Sequence, residues 1–342
     1  MLKDKLKRQI TDLELDLKGR VVLTEAASGA YIVTPVMAAM AGAKVYAYSR
    51  TTRYGTIDQV FSATEKLMRE TGDDLNIHFV EELSPEVISQ ADIITNSGHL
   101  RPLDQEKLKY VKTGTVIPLM YEAWEWRAGD LDLNYCRQKG ILIGATNERH
   151  SDVDVFNYLG DMALKMIFDA GLTPYRNKFV LICNNDFGPF IAKTLTPVCE
   201  GLGIIDLLEN KSKYPDGITW LSDFPEVNIN KEFRNCEAII FTAYPFDNKW
   251  IGSGTDIDIN KIKSNFSNPF ILRFAGDIDE AECLRNNLKF YPEHVYSGHM
   301  GILPSEIGFD PIIRLQAGGL KVGELLLQNK TEFRGIKLVD LL

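Results

Sequence analysis

The chain has 342 residues, more than one ordinary hydrophobic core serves, so two lobes are expected. Hydrophobic residues at 45% and charged residues at 25% exclude a disordered or fibrous chain. A formal net charge of -9 argues against nucleic acid or an anionic membrane as partner and leaves small molecules.

The opening run "MLKDKLKRQITDLELDLKGR" alternates charge with Leu and lacks the apolar stretch of a secretory signal. No uncharged apolar run approaches the roughly 18 residues of a membrane span, so a cytoplasmic protein is expected. Strands are predicted at "RVVLTEA", "KVYAYSR", "IHFVEE", "ADIITNS", "TVIPLMY" and "ILIGATN", with helices between them, "TPVMAAMAGA" among them. A long helix is predicted from Ser151 to Gly171, after which the pattern restarts. "KFVLICN", "IIDLLEN", "CEAIIFTAYP", "PFILRFAG" and "HVYSGHMG" read as strands, and "PFIAKTLTPVCEGLG" as a helix. The run "DPIIRLQAGGLKVGELLLQ" reads as a closing helix, weakened locally by Gly318 and Gly319. Cys136, Cys183, Cys199, Cys236 and Cys283 show no CxxC pairing, so reduced thiols and no metal site are expected.

Short apolar runs alternating with amphipathic ones predict an α/β fold of two Rossmann-like or flavodoxin-like lobes with mainly parallel sheets and an interlobe cleft. The predicted division is 1–155 plus 305–342 as a substrate or catalytic lobe, and 156–304 as a cofactor lobe. Ligands of such sheets bind beyond the carboxyl ends of strands, where this chain carries "EAASGAY", "NSGHLRP", "MYEAWEWR" and "NERH" in its first half. Gly98, His99, Met120 and Tyr121 are therefore candidate substrate contacts. His150, ending "NERH", reads more simply as a loop histidine. "SRTTRYG" places Arg50 and Arg53 where the phosphate of NADP is held if the first lobe carries a nucleotide, with a solvated surface as the plain alternative.

In the second half "NNDFGPF", Pro245 after "IIFTAY", Arg273 ending "FILR", Asp279 with Glu280, and His299 in "SGHMG" follow one another in an order that resembles the D-isomer-specific 2-hydroxyacid dehydrogenases. In the first half "ADIITNSGHLRPLDQEKLKYVKTGTVI" and "DLDLNYCRQKGILIGATN" look like that family's catalytic lobe. The resemblance implies NAD or NADP, a small 2-hydroxy or 2-keto acid as substrate, and a homodimer. It implies His299 as general acid, Arg273 as carboxylate anchor and Glu282 as the partner carboxylate of His299. Asn184, Asn185, Asp186, Gly188, Glu209 and Pro245 would hold the nucleotide. Two departures stand against this. "NNDFGPF" retains only Gly188 of the GxGxxG fingerprint and sets the charge of Asp186 where a diphosphate should lie, and the stretch from Arg273 to His299 is shorter than the family's, which leaves Glu282 as the nearest candidate for its catalytic Glu, with Glu293 behind it. Two alternatives follow: a dehydrogenase-derived protein that uses its cleft without nicotinamide for another reaction or for ligand sensing, and a structural or partner-binding subunit with "MYEAWEWR" as its interface.

Overall fold

The computed structural model describes residues 2–72 and 74–342, and they divide into two compact units, Met1–Val155 with Gly308–Leu342, and Phe156–Ile307. In chain order the strands of the first unit are β1 (Val21–Glu25), β2 (Lys44–Tyr48), β3 (Ile77–Val80), β4 (Ile93–Ile94), β5 (Val116–Pro118) and β6 (Leu142–Thr146). The second unit adds β7 (Lys178–Cys183), β8 (Gly201–Asp206), β9 (Thr219–Asp223), β10 (Ala238–Thr242), β11 (Lys249–Gly252), β12 (Ile257–Asp258), β13 (Phe270–Ala275), β14 (Asp277–Ile278) and β15 (Lys289–Tyr291). The chain closes in the first unit with β16 (Glu332–Phe333), β17 (Ile336–Lys337) and β18 (Val339–Leu341).

The sheet of the first unit runs β18-β6-β5-β4-β1-β2-β3, parallel except where β18 pairs antiparallel with β6. That of the second runs β15-β13-β10-β7-β8-β9 and is parallel throughout, with β11, β12 and β14 in a small separate sheet. Counted within each unit, both sheets read third, second, first, fourth, fifth, sixth from one edge. This is the doubly wound Rossmann order, whose ligands sit where the winding reverses between first and fourth strands. The physical cause is legible in the strands themselves. "AIIFT" of β10 and "KFVLIC" of β7 are buried nearly end to end, as strands covered by helices on both faces must be.

Three predicted elements differ from the observed ones. The helix expected from Ser151 begins only at Tyr158, because Asp154 takes a positive φ of 50° and turns the chain while Val153, Val155 and Phe156 enter the core. "IIDLLEN" is a strand only as far as Asp206, after which Leu208–Lys213 forms a 3-10 helix. "HVYSGHMG" is not a strand: β15 ends at Tyr291, and a single bridge between Ala275 and Met300 follows.

The glycine-bearing helix Asp310–Leu327 is continuous and packs on the first unit's own sheet. A Cβ on Gly319 would lie 2.4 Å from the Met120 sulfur and 3.1 Å from the Met120 Cα. The glycines that lower helix propensity are what let the helix approach. All five cysteines are unpaired, four of them buried. Among the described residues no helix is long and apolar enough to cross a membrane.

Candidate functional site

His299 lies exposed in the turn after β15, its Nδ1 3.1 Å from the Ser297 carbonyl and its ring edge-on to Tyr296. Arg273, at 2% exposure, is engaged through all three of its guanidinium nitrogens by its own unit. Its Nε donates to the Gly276 carbonyl at 3.0 Å, and its two terminal nitrogens donate to Glu280, at 2.8 Å, and to Asp277. A guanidinium so engaged holds its own chain, and the bonds that the anchor reading would give to a substrate carboxylate are made here to Glu280 and Asp277. Asp277 also accepts from the Ser297 hydroxyl and the Gly298 amide, so Arg273 braces the turn that carries His299. Glu282 accepts from the amide and hydroxyl of Ser253 and makes no contact with His299, so the expected acid–carboxylate pair does not form.

Most of the nucleotide residues expected in the second unit are engaged by their own chain. At the end of β7, Asn184 exchanges two hydrogen bonds with the backbone of Tyr244, across the point where the winding reverses. Asn185 accepts from the Phe187 amide at 3.0 Å, taking a donor that a diphosphate would need, and Asp186 pairs with Lys213 at 3.0 Å. A Cβ on Gly188 would lie 2.1 Å from the Tyr214 hydroxyl and 2.9 Å from the Cys183 sulfur, so the space in front of this glycine is filled. Pro245 offers its carbonyl to the Trp250 indole at 2.9 Å. Glu209 is exposed on the 3-10 helix, and the acidic residue that ends β8 is Asp206. Asp206 is fully buried and accepts from the Tyr214 hydroxyl at 2.6 Å, the Leu207 amide at 2.6 Å and Asn210. Burial lifts its carboxyl to about 6 against those bonds. As they stand, these strand ends do not fit a dinucleotide.

The carboxyl end of the first unit's sheet is of a different kind. Glu25 closes β1 and accepts from the His99 amide at 2.9 Å. Gly98 belongs there because any Cβ would sit 2.0 Å from the Glu25 carboxylate. After β5, Glu122 receives the Trp124 indole at 2.6 Å, Arg149 at 2.8 Å and the Glu148 amide at 3.2 Å. Glu125 reaches back to the Glu122 amide at 3.3 Å.

Burial raises the carboxyl of Glu25, and raises that of Glu148 well above its usual range with the charges of Glu125 and Glu122 adding to it. The same causes, burial and then the Glu122 charge, bring Glu125 to about 7, with Arg127 and Arg101 opposing. The Tyr31 phenol is pushed to about 12, by burial first and then by Glu25, Glu148 and Glu125. The groups acting on Tyr31 thus come from the ends of β1, β5 and β6.

Tyr121, expected as a substrate contact, accepts from Asn96 at 2.9 Å and lies under the Arg101 guanidinium, 4.9 Å from its ring centre. Met120, also expected as a substrate contact, is buried against Gly319. His150 is buried between the Phe333 carbonyl and the Asp152 amide. The carboxyl groups of Glu25, Glu125 and Glu148, with Tyr31, are the residues the sequence reading missed. Their signal was an acidic residue at the end of β1 and in the segments that follow β5 and β6.

No protein-family model matches the chain, and no curated protein matches it. Among solved structures, the A chain of dipicolinate synthase from Bacillus subtilis is similar at 12% identity and a TM-score of 0.60, over 92% of this chain and 99% of that one. A D-isomer specific 2-hydroxyacid dehydrogenase from Lactobacillus delbrueckii ssp. bulgaricus, solved with NAD, is similar at 12% identity and a TM-score of 0.52, over 94% and 99%. D-lactate dehydrogenase with NAD+ from Lactobacillus jensenii gives 11% identity and a TM-score of 0.51, over 94% and 99%. At such identities the likeness is one of architecture, and on it this chain has the two-unit, mainly parallel Rossmann fold of the D-isomer-specific 2-hydroxyacid dehydrogenases.

Proposed function

We propose that the chain is an oxidoreductase of a small polar molecule in which Glu125, Glu148 and Tyr31 of the first unit, rather than His299, handle the proton. The supporting observation is that Glu122 ties the ends of β5 and β6 together, accepting from the Glu148 amide at 3.2 Å while Glu125 accepts from the Glu122 amide at 3.3 Å, with Glu125 brought to about 7. A general acid or base works best with a pKa near the working pH, and Glu125 meets that condition. Glu148, whose carboxyl is raised well above its usual range by burial, is the donor proposed for a substrate oxygen, and its charge also acts on Tyr31. The fold shared with NAD-bound dehydrogenases supports the redox part of the reading. NAD or NADP would supply the hydride acceptor.

The narrower form of the reading takes a 2-hydroxy or 2-keto acid as substrate. The charge of Arg101 acts on both Glu25 and Glu125, but its guanidinium already donates to Asn96 at 3.1 and 2.8 Å and pairs with Asp130 at 3.5 Å, so a substrate carboxylate would have to share it with them. The test is nicotinamide reduction by the purified chain over a panel of small hydroxy acids, secondary alcohols and amines. Glu125→Gln should lower kcat by about 10²–10⁴-fold, while His299→Ala leaves it within about twofold. Loss of turnover in His299→Ala with Glu125→Gln active, or no turnover of any panel member, would overturn the reading.

A further inference from the structure

We infer that the first unit carries a second small-molecule site, between the segments that follow β4 and β5, and that it takes a free amino acid with a large apolar side chain. The inference does not depend on the proposed reaction.

Between those segments lies a cavity of about 590 Å³. Sites for small molecules run from about 300 to 1,000 Å³, so the room is sufficient. Its frame is fixed by the backbone. Leu103 and Leu131 form a parallel bridge, in which the Leu103 amide donates to the Asp130 carbonyl at 2.9 Å and the Asp132 amide donates to the Leu103 carbonyl at 3.0 Å. Arg101 pairs with Asp130 at 3.5 Å beside it.

Both leucines are buried in one core cluster, so the next residue on each chain, Asp104 and Asp132, turns the other way and lines the cavity. Neighbouring positions on paired chains lie about 5 Å apart, which sets two carboxylates side by side. Each begins a helix and spends one oxygen on it. Asp104 accepts from the Lys107 amide at 3.1 Å and Asp132 from the Tyr135 amide at 2.9 Å. The Lys107 ammonium donates to the Pro102 carbonyl instead, and neither carboxylate has an ion pair among the described residues. Like charges set side by side repel, and a cation between them removes that cost. No third His, Cys, Asp or Glu completes a metal-binding group among the described residues, so the pair suits an ammonium rather than an ion that wants six or more oxygens.

The opposite charge stands on the helix Leu133–Lys139. Asn134 and Arg137, three residues apart and so on one face, line the same cavity, exposed and without a hydrogen bond or ion pair among the described residues. A guanidinium with an open fork is a receptor for a carboxylate. Trp126 and Leu133 supply apolar wall between the two charges. An amine would leave Arg137 unanswered, and a hydroxy acid would leave the two carboxylates so. An ammonium, a carboxylate and an apolar body on one small molecule answer all three.

Trp126 is also the reporter. Its indole nitrogen is buried and has no hydrogen-bond partner, so packing alone sets the angle of the ring, and a molecule filling the cavity changes that packing.

Calorimetric titration and tryptophan emission of the full chain with L-phenylalanine, phenethylamine, hydrocinnamate and glycine test this without any turnover. L-phenylalanine should bind at least about tenfold more tightly than the other three, each of which lacks one of the features. Asp104→Asn with Asp132→Asn keeps both helix caps, since Asn caps as well as Asp, and should weaken L-phenylalanine at least about tenfold without weakening hydrocinnamate. Arg137→Gln should weaken L-phenylalanine and leave phenethylamine as it was. Trp126→Phe should abolish the emission change while the heat of binding persists. Unchanged melting of the ligand-free variants shows that they fold. Binding of none of the four, equal binding of all, or L-phenylalanine binding undiminished when all three charges are removed would overturn the inference. Binding lost in Glu125→Gln but kept in the triple variant would put the amino acid among the reacting groups and overturn it too. Selective L-phenylalanine binding by a chain with no dehydrogenase turnover would keep this site and refute only the proposed reaction.

Discussion

Replacing Arg273 with Met separates its two readings. In the structure the guanidinium is 2% exposed and donates to the Gly276 carbonyl, Glu280 and Asp277. Met keeps the aliphatic stem and removes the charge, leaving Asp277, at 6% exposure, without its counter-charge and held only by the Ser297 hydroxyl and the Gly298 amide. Removing one partner of a buried ion pair costs about 3–5 kcal/mol, because the stranded charge keeps its desolvation penalty. The Glu280 side chain is 36% exposed and can turn to water, which places the expected loss near the lower figure, about 3 kcal/mol.

Urea unfolding followed by circular dichroism measures it, with the second unit's transition shifted to lower denaturant. Arg273→Met with Asp277→Asn should recover part of the loss, since the stranded charge is gone. A stable Arg273→Met protein that had lost only affinity for a carboxylate substrate would refute the internal-brace account and restore the anchor.

Three further outcomes are expected. Glu125 is lifted from 4.5 to about 7, so the folded chain binds more protons than the unfolded one between those values, and stability should fall as pH rises across that window; Glu125→Gln should flatten the fall, measured as melting temperature against pH. Glu122 and Glu148 on one side and Arg127 and Arg101 on the other face this group, so Glu122→Gln should shift the same profile to lower pH. Tyr214→Phe removes a 2.6 Å bond from buried Asp206 and should cost about 1–3 kcal/mol at neutral pH, less at pH about 5 where the carboxyl, at about 6, is protonated; equal losses at both pH values would count against it. Gly160→Ala would put a Cβ 2.4 Å from the Thr194 Cβ, so overpacking of about 1–3 kcal/mol should outweigh the helix-propensity gain and lower the melting temperature.

How much of this was legible in the sequence varied with the range of the interaction. The buried parallel strands announce themselves as continuous β-branched runs, and β1, β2, β7, β10 and β13 lie within the predicted segments. "HVYSGHMG" carries the same residue types, but Gly298 at a φ of +74° and the bonds from Asp277 hold a turn there, and no local pattern reveals them. "IIDLLEN" hides its strand end because Asp206 turns the chain through its own bonds to Leu207 and Asn210. The internal partners of Arg273, four and seven residues on, were not legible as counter-charges because they look like part of a family motif. Each acid of the first unit's cluster was visible beyond its strand. Their convergence on Tyr31 depends on strand order, which periodicity does not encode.

The second unit is one unbroken segment, whereas the first is written in two pieces around it. On the ribosome the strands β1 to β6 emerge early, yet the helix Asp310–Leu327 that covers Val22, Ile93 and Val116 emerges almost last. Joining the two pieces closes a long loop, but loop entropy grows only logarithmically with length, so the equilibrium cost is small. The burden falls on time instead. Until the tail arrives, one apolar face of the nascent sheet stays wet and open to neighbouring chains, while the second unit can already have finished folding. A chain truncated before Asp310 should therefore be rescued by a holdase that shields that face or by the missing helix supplied as a separate peptide, and lowering the temperature alone should do little for it.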